Sequence, residues 1–200
     1  LIKARRHKID DEIYFRNLKD NNIYLYKLDF IDKKKALFNL ISKEEKIVEN
    51  KNKLHIGWCV IEPKTVEKYI ASLNEMGVDK ITFIYADYSQ KNFKINIDKL
   101  EKILINSSTQ CGRSNIIKLE VCKSLEQFIK ENDDVYFLDF STVCIDEKKD
   151  EIKTLVIGCE GGFSKREKEN FDDNFTVGFK VDLILRSETA TLSASSKILL

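Results

Sequence analysis

Residues 155–167 read LVIGCEGGFSKRE, and the order of residue types in this stretch indicates the class of fold. The apolar run at its start predicts a buried strand, and three of the chain's seven glycines follow within five positions, at Gly158, Gly161 and Gly162. Ser164 and Glu167 form a capping-box pattern, so a helix is expected directly after the glycines. Glycine lets a ligand approach the backbone, and ligands bind at the carboxyl ends of strands in open α/β sheets. The stretch therefore predicts a strand, a ligand-binding turn and a helix, with a tight turn that binds nothing as the alternative.

The alternation of strand and helix patterns extends to both sides of this stretch. Toward the N-terminus, LHIGWCVI (54–61) is typical of a strand covered on both faces, and Pro63 opens an amphipathic helix that Gly77 ends. Toward the C-terminus, FTVGFKV (175–181) predicts another strand, and a final helix is expected from about Ser187. Strands that alternate with helices specify an α/β domain with a mainly parallel sheet.

The first part of the chain has a different pattern. Short strands are predicted in DEIYF (11–15), NNIYLYKLDF (21–30) and KKALFNLI (34–41), with a turn at Asn21 and Asn22. These strands are too few to close a barrel, so we expect this domain to lack its first part. The charged segment SKEEKIVENKNK (42–53) is typical of a connector. The chain is therefore expected to contain a small β domain over residues 1–48 and an α/β domain over residues 52–200.

Composition and charge restrict the class of protein. The 200 residues are 42% hydrophobic and 34% charged, which argues against disorder, and no apolar run approaches the length of a membrane span. We therefore expect a soluble protein that does not associate with a membrane. The net charge of +1 hides an asymmetry, because residues 1–53 carry 14 Lys and Arg against 9 Asp and Glu. This excess favours contact with a polyanion, although a solvated lysine-rich surface explains it equally well.

Cysteine and histidine usage disfavours several kinds of site. The five cysteines are scattered without CxxC spacing, which argues against a disulfide framework or a zinc cluster and indicates a reducing cytoplasm. The two histidines, His7 and His55, have neither metal-ligand nor triad spacing, so no metal site is expected. Cys159 could act as a nucleophile, but no histidine lies near it in the sequence, and a small space-filling side chain is the favoured interpretation.

Two further polar segments carry candidate residues. In LILRSETATLSASS (183–196), Arg186 and Glu188 stand where a loop enters the last helix, and small residues then dominate. These small residues permit close packing against another segment or a partner subunit, whereas a simple helix cap is the alternative for Arg186 and Glu188. In QCGR (110–113), Arg113 follows a predicted helix end, a position where an exposed surface arginine is also common.

The combination of GCEGGFSKRE with LILRSETA resembles the closing signature of the RsmE-type family, the small-subunit ribosomal RNA uridine-N3 methyltransferases of the knotted SPOUT superfamily. NEMGVDKITFI, STQCGR and ARRHKIDDEI are similar to other segments of that family in the same order. The resemblance implies a small, here truncated, PUA-like β-barrel and an α/β domain with a C-terminal trefoil knot. It also implies S-adenosylmethionine (SAM) as cofactor, small-subunit ribosomal RNA or the assembled small subunit as substrate, and a homodimer.

This chain departs from the family pattern at four positions. Cys159 replaces the usual proline of the glycine-rich loop, Asp10 replaces a glycine, and Val181 and Leu183 occupy positions of a Leu-Gly-x-Arg segment. The resemblance implies a cofactor pocket made by three loops, which correspond to the end of FLDFS, to residues 158–163 and to residues 181–186. The predicted cofactor-binding residues are Leu138, Gly158, Glu160, Gly161, Gly162, Val181, Leu183, Leu185 and Arg186. Gly161 is expected to need a positive φ.

Methylation at N3 of uracil requires catalytic residues in addition to those that bind the cofactor. The N3 proton must leave, and the negative charge that spreads to the carbonyl oxygens needs a cation or hydrogen-bond donors. Arg186 is predicted to stabilise that anion, and Glu160 and Glu188 are the carboxylates predicted to orient the arginine or to receive the proton. The predicted RNA-binding residues are Arg5, Arg6, Lys8 and Arg113.

Two other functions remain open from the sequence. A SPOUT enzyme that methylates the ribose 2'-oxygen is the nearest enzymatic alternative. A ribosome assembly module that binds RNA and has lost catalysis is the alternative from another class, because Val181 and Leu183 alter the cofactor segment.

Overall fold

A computed structural model describes residues 6–181 and 183–200 of the chain, which divides into two compact units. The first unit comprises the described residues up to Glu49 together with Gly112–Asn115, and the second comprises Asn50–Cys111 and Ile116–Leu200. Within the described residues, none of the helices combines the length and the apolar character needed to cross a membrane.

The first unit is built on a three-stranded antiparallel sheet, in the order β1 (Glu12–Phe15), β2 (Asn22–Ile31), β3 (Ala36–Glu45). Edge-to-face contacts join the rings of Phe15, Tyr26 and Phe38 on one face of this sheet. The predicted end of the third strand is wrong. β3 continues to Glu45, into the segment predicted as a connector, because Glu45 still pairs with Asn22.

The turn between the first two strands also lies elsewhere than predicted. Asn22 already belongs to β2, and the side-chain oxygen of Asn17 accepts the backbone N–H groups of Lys19 and Asp20. Asn17 and Asp20 therefore build the turn, since a side chain that bonds nearby backbone groups replaces strand pairing there.

The second unit is an α/β domain whose six-stranded sheet has the order β6-β5-β4-β8-β7-β9 and is parallel throughout its pairings. The predicted mainly parallel sheet is confirmed. Its strands are β4 (His55–Cys59), β5 (Lys80–Ile84), β6 (Lys118–Cys122), β7 (Val135–Leu138), β8 (Thr154–Ile157) and β9 (Thr176–Val177). Its helices are α1 (Pro63–Met76), α2 (Ile97–Cys111), α3 (Leu125–Glu131), α4 (Ile145–Lys148), α5 (Lys165–Lys168) and α6 (Ser187–Leu199).

Local signals in the sequence account for most of these elements. Pro63 stands in the first turn of α1, and Gly77 ends that helix with a φ of +95°. β4, β5, β7 and β8 bury most of their side chains, whereas most of the edge strand β6 is not buried. Trp58, Phe83 and Phe128 are the largest fully buried residues in the described part of the chain. The core of this unit therefore extends from the central strands to the helices that cover them.

The strand predicted over residues 175–181 shrinks to two residues. Gly178 passes so close to the segment after β7 that an added Cβ would lie 3.0 Å from the Asp139 carbonyl oxygen. The Gly178 N–H donates to the Val143 carbonyl, and its own carbonyl accepts the Ile145 N–H, both at 2.9 Å. The chain therefore leaves the sheet after Val177, because Gly178 packs against residues 141–145 and forms hydrogen bonds with them. The short helix α4 starts in this segment, and no pattern in the sequence predicts it.

Candidate functional site

A cleft of about 720 Å³ opens at the carboxyl ends of β7 and β8. Three segments line it together with Lys168 of α5. They are residues 138–142 after β7, residues 157–163 after β8, and residues between Gly178 and Ala190 that lead into α6. The structure thus brings together the three loops expected to form a pocket. Of the nine predicted cofactor-binding residues, Arg186 lies outside the cleft lining. The other eight line the cleft, namely Leu138, Gly158, Glu160, Gly161, Gly162, Val181, Leu183 and Leu185.

The glycine turn, residues 158–162, forms one wall of the cleft. The Gly162 N–H donates to the Cys159 carbonyl at 2.9 Å, which closes the turn, and Gly162 has a φ of +69°. The expectation of a positive φ at Gly161 is wrong, because this conformation belongs to Gly162. Gly161 is restricted by space instead, since an added Cβ would lie 3.2 Å from the side chain of Tyr88.

Ser187 connects the glycine turn to α6 and to the centre of the sheet. Its hydroxyl donates to the Gly158 carbonyl at 2.6 Å and accepts the indole N–H of Trp58 at 3.0 Å. Both residues are buried. Sequence reasoning missed this role because Trp58 and Ser187 are far apart along the chain, and neither belongs to a recognisable local motif.

The wall formed by residues 138–142 is also held in place. Lys168 pairs with the Asp139 carboxylate at 2.5 Å, and the other carboxylate oxygen of Asp139 accepts the Phe140 N–H at 2.9 Å. The Phe140 ring stands 72% exposed at the cleft. Neither Asp139 nor Phe140 was singled out from the sequence, since an apolar strand ending in a polar residue is common.

The three residues predicted to be catalytic lie in different surroundings. Glu160 is exposed and lines the cleft. Arg186 occupies the N-cap position of α6 without a capping hydrogen bond from its side chain, and it is exposed next to the cleft residue Leu185. Glu188 is only 8% exposed, in the first turn of α6, and does not belong to the cleft lining. Of the two predicted carboxylates, only Glu160 therefore lines the cleft.

Cys159 sits in the glycine turn as a buried thiol. Burial raises the pKa of Cys159, so the thiol is protonated at neutral pH and is a poor nucleophile. This agrees with the interpretation of Cys159 as a space-filling side chain.

The predicted RNA-binding residues divide into three groups. Arg6 and Lys8 are exposed in the first unit, and Arg5 lies outside the described residues. Arg113 is 4% exposed, and its Nε donates to the side-chain oxygen of Asn115 at 2.6 Å. The burial of Arg113 argues against the predicted phosphate contact, because a guanidinium needs access to the RNA backbone.

Comparisons with known proteins agree with this geometry. A family model described as an RNA methyltransferase domain matches residues 48–199. Ribosomal RNA small subunit methyltransferase E of Helicobacter pylori is 39% identical over 199 residues, which cover 98% of this chain and 88% of that protein.

Solved structures share the fold. A protein from Legionella pneumophila, described as a methyltransferase and solved with bound SAM, has a TM-score of 0.80 at 25% identity, over 98% of this chain and 86% of that one. Ribosomal RNA small subunit methyltransferase E of Neisseria gonorrhoeae, solved with SAM, has a TM-score of 0.79 at 17% identity, over 98% of this chain and 85% of that one.

Proposed function

This chain belongs to the family of the ribosomal RNA small subunit methyltransferase E proteins, and on that premise we propose that it uses SAM to methylate N3 of a uridine in small-subunit ribosomal RNA. The resemblance predicted from the two sequence signatures is confirmed. The observation that carries the proposal is the cleft at the ends of β7 and β8, which is lined by the glycine turn and by both neighbouring loops.

The residues of the cleft fit the size and chemistry of SAM. A volume of about 720 Å³ is in the range of small-molecule sites, and the side chains of Leu138, Val181 and Leu185 provide apolar surface for an adenine ring. The glycine turn lets polar edges of the cofactor reach backbone N–H and C=O groups. When bound, SAM supplies a methyl group on a sulfonium sulfur, and the loops of this chain hold it in line with the nucleophile.

The protein's own residues handle the proton and the charge of the uracil. Arg186 offers several directed donors to a uracil carbonyl oxygen, where the negative charge develops as N3 loses its proton. Glu160 receives that proton, directly or through water, because it is exposed at the cleft whereas Glu188 is buried outside its lining. The negative charge of Glu188 instead interacts favourably with the positive N-terminal end of the α6 helix dipole.

We further propose that Gly178 and the segment 141–145, against which it packs, belong to the trefoil knot of the SPOUT fold. The close approach of Gly178 to Asp139 and Ser141, and the position of β8 between β4 and β7, support this assignment. The three-stranded sheet of the first unit belongs to a PUA-like barrel that contacts RNA. The five free cysteines in the described chain fit the reducing cytoplasm, where ribosomes are assembled.

We propose a homodimer as the active assembly. One side of α6, with Leu192, Ser193 and Ser196, borders a shallow groove together with Met76 of α1. These small and apolar side chains permit close contact with a second copy.

Two measurements test the proposed function. Calorimetric titration of the full chain with SAM should give binding, and an absence of heat would favour the RNA-binding module that has lost catalysis. Small subunits from a strain lacking the gene are then incubated with the protein and SAM, and the modified nucleotide is located by mass mapping. Methyl transfer to a ribose 2'-oxygen instead of a uracil base would favour the other SPOUT enzyme.

A further inference from the structure

The loop that follows β5 lies beside the glycine turn but outside the cleft lining. It turns sharply, because the Ser89 N–H donates to the Ala86 carbonyl at 3.1 Å and the Ser89 side chain is buried. Asp87 and Tyr88 stand at the tip of this turn. No sequence motif marks either residue, and the proposed chemistry does not use them.

Asp87 joins this loop to α5 through several hydrogen bonds. Its carboxylate accepts the Ser164 hydroxyl at 2.6 Å, and the Arg166 guanidinium donates to both oxygens, through Nη2 at 2.6 Å and Nε at 3.2 Å. Hydrogen bonds from Arg166 and then from Ser164 lower the pKa of Asp87, so the carboxylate is ionised at neutral pH. This charge strengthens each of the bonds that it accepts.

A second, buried connection lies beside the first. The Glu167 side chain closes the capping box of α5 by accepting the Ser164 N–H at 2.9 Å, and its other oxygen accepts the Asp87 N–H at 2.9 Å. Glu167 is buried, and it lies 80 positions after Asp87 in the chain. We call Asp87, Ser164, Arg166 and Glu167 the Asp87 network.

The Asp87 network acts on the glycine turn from two directions. Ser164, the N-cap of α5, directly follows Phe163, so the start of α5 determines where the turn ends. Tyr88, next to Asp87, packs so closely on Gly161 that an added Cβ would lie 3.2 Å from its side chain. The loop after β5 therefore supports the outer side of a turn whose inner side lines the cleft.

We propose that Asp87 is a positioning residue for the cofactor, because it ties the loop after β5 to α5 and thereby holds Tyr88 against Gly161. This inference rests on the proposed function for the identity of the cofactor. The Arg166 side chain is largely solvent-exposed, so its ion pair contributes little to overall stability. The network is therefore expected to act on the shape of the turn more than on the folding equilibrium.

The test compares Asp87→Ala, Arg166→Ala and the double variant in the full chain. SAM affinity is measured by calorimetry, and we expect Asp87→Ala to raise Kd about tenfold. KM for SAM should rise in parallel while kcat changes little, because the reacting atoms are untouched. The double variant should bind SAM no more weakly than Asp87→Ala alone, since both side chains act through the same connection. Arg166→Lys keeps the charge but cannot make both hydrogen bonds of the guanidinium, so its SAM Kd should lie between those of the wild type and Arg166→Ala.

A second readout does not depend on SAM. Amide exchange of Gly162, whose N–H closes the glycine turn, should be about tenfold faster in Asp87→Ala than in the wild type. The matched control is Lys99→Ala, which removes a similarly exposed ion pair between Lys99 of α2 and Glu67 of α1 and should change neither Kd nor the exchange rate.

The outcomes separate this inference from the proposed function. If Asp87→Ala lowers the melting temperature but leaves both the SAM Kd and the Gly162 exchange rate at wild-type values, Asp87 is only structural and the inference is overturned. If the wild type binds no SAM, the proposed function fails, and with it the cofactor role. Faster Gly162 exchange in Asp87→Ala would then still establish that the network holds the turn.

Discussion

The glycines of the turn are required for different physical reasons. Gly161 leaves room for Tyr88, whereas Gly162 has open space around its Cα and a φ of +69°. A side chain at Gly162 would therefore meet no neighbour and would only strain the backbone. The sequence indicates that glycines are needed in this turn. It does not show which glycine is needed for space and which for a positive φ.

Gly162→Ala should weaken SAM binding because the turn must adopt another φ. The left-handed conformation costs a non-glycine residue about 1–2 kcal/mol, which a changed turn relieves at the expense of the cleft. Gly112→Ala is the matched control, since Gly112 has a φ of +80° and equally open space but lies in the first unit. Urea unfolding should show similar losses for both variants, and calorimetry a raised SAM Kd for Gly162→Ala alone. Equal SAM affinities would show that the turn conformation does not matter for the cofactor.

Arg186 carries the clearest prediction about the chemical step. Arg186→Ala should reduce kcat by roughly 10²- to 10³-fold, because a positioned donor to the developing anion is lost. Arg186→Lys keeps the charge without the planar fork, so its kcat should also fall well below that of the wild type. Single-turnover assays on small subunits measure this effect, with the SAM Kd as the control that should remain unchanged. Wild-type rates for both variants would show that Arg186 takes no part in the chemical step.

At the scale of elements, α6 and β4 are joined by a single hydroxyl. Ser187 accepts the Trp58 N–H and donates to the Gly158 carbonyl, so one side chain links the helix, the central strand and the glycine turn. Further along α6, the hydroxyls of Thr191 and Ser195 donate to carbonyls one turn back. The small hydroxyl residues of this helix therefore satisfy their own polar groups while the helix packs closely.

Ser187→Ala should destabilise the fold and perturb the cofactor site together. It leaves the buried indole N–H without an acceptor, which costs about 1–3 kcal/mol. Trp58 is the only tryptophan, so its fluorescence reports directly on this contact. We expect a shifted emission spectrum in Ser187→Ala, a wild-type spectrum in Ser187→Thr, and weaker SAM binding only in the first. Ser195→Ala removes a comparably buried hydroxyl far from the turn and should leave the spectrum unchanged.

The strand β4 also contains a titratable group. Burial, and then the charge of Lys80, lower the pKa of His55 to about 4. The Nε2 atom of His55 lies 2.8 Å from the Thr82 hydroxyl, and its ring meets Phe128 edge-on. The folded protein therefore keeps this imidazole neutral under mildly acidic conditions.

Stability should consequently depend on pH through His55. In the unfolded chain His55 takes up a proton below its pKa of about 6.5, whereas in the folded chain it stays neutral until the pH falls to about 4. The free energy of unfolding therefore decreases as the pH falls through this window. His55→Gln should flatten this part of the pH profile. Urea unfolding near neutrality and at about pH 5 measures the difference. Parallel profiles for the two proteins would contradict the assignment.

The elements show which features the sequence can predict. Pro63, Gly77 and the Ser164 capping box mark helix ends by local chemistry, and each helix end lies where these residues indicate. The early end of β9 and the presence of α4 could not be predicted, because they result from the close approach of Gly178 to a segment that lies about 35 positions earlier in the chain. The same reason explains why Asp87 was missed, since its partners lie on α5.

At the scale of the whole molecule, charge divides along the chain. Residues 1–53 carry an excess of basic residues, while the remainder holds 24 acidic residues against 20 basic ones. An acidic body with a basic appendage fits a protein whose first unit meets the RNA backbone and whose second unit holds the cofactor. Phosphate contacts of this kind position a substrate without reading its sequence.

Reversing the charge of Arg5 and Arg6 tests this division. Each phosphate contact adds about 0.7 to 0.9 to the slope of log K against log salt, so the loss of two contacts should make the slope shallower by about 1.4 to 1.8. Binding to small-subunit RNA is measured over a range of salt concentrations, with the SAM Kd expected to stay at the wild-type value. Lys149→Glu with Lys153→Glu changes the net charge equally on exposed positions of the second unit and should leave the slope nearly unaffected. If both double variants lower the slope equally, RNA binding depends only on the total charge of the protein. The basic residues of the first unit are then solvated surface that makes no specific contact with RNA.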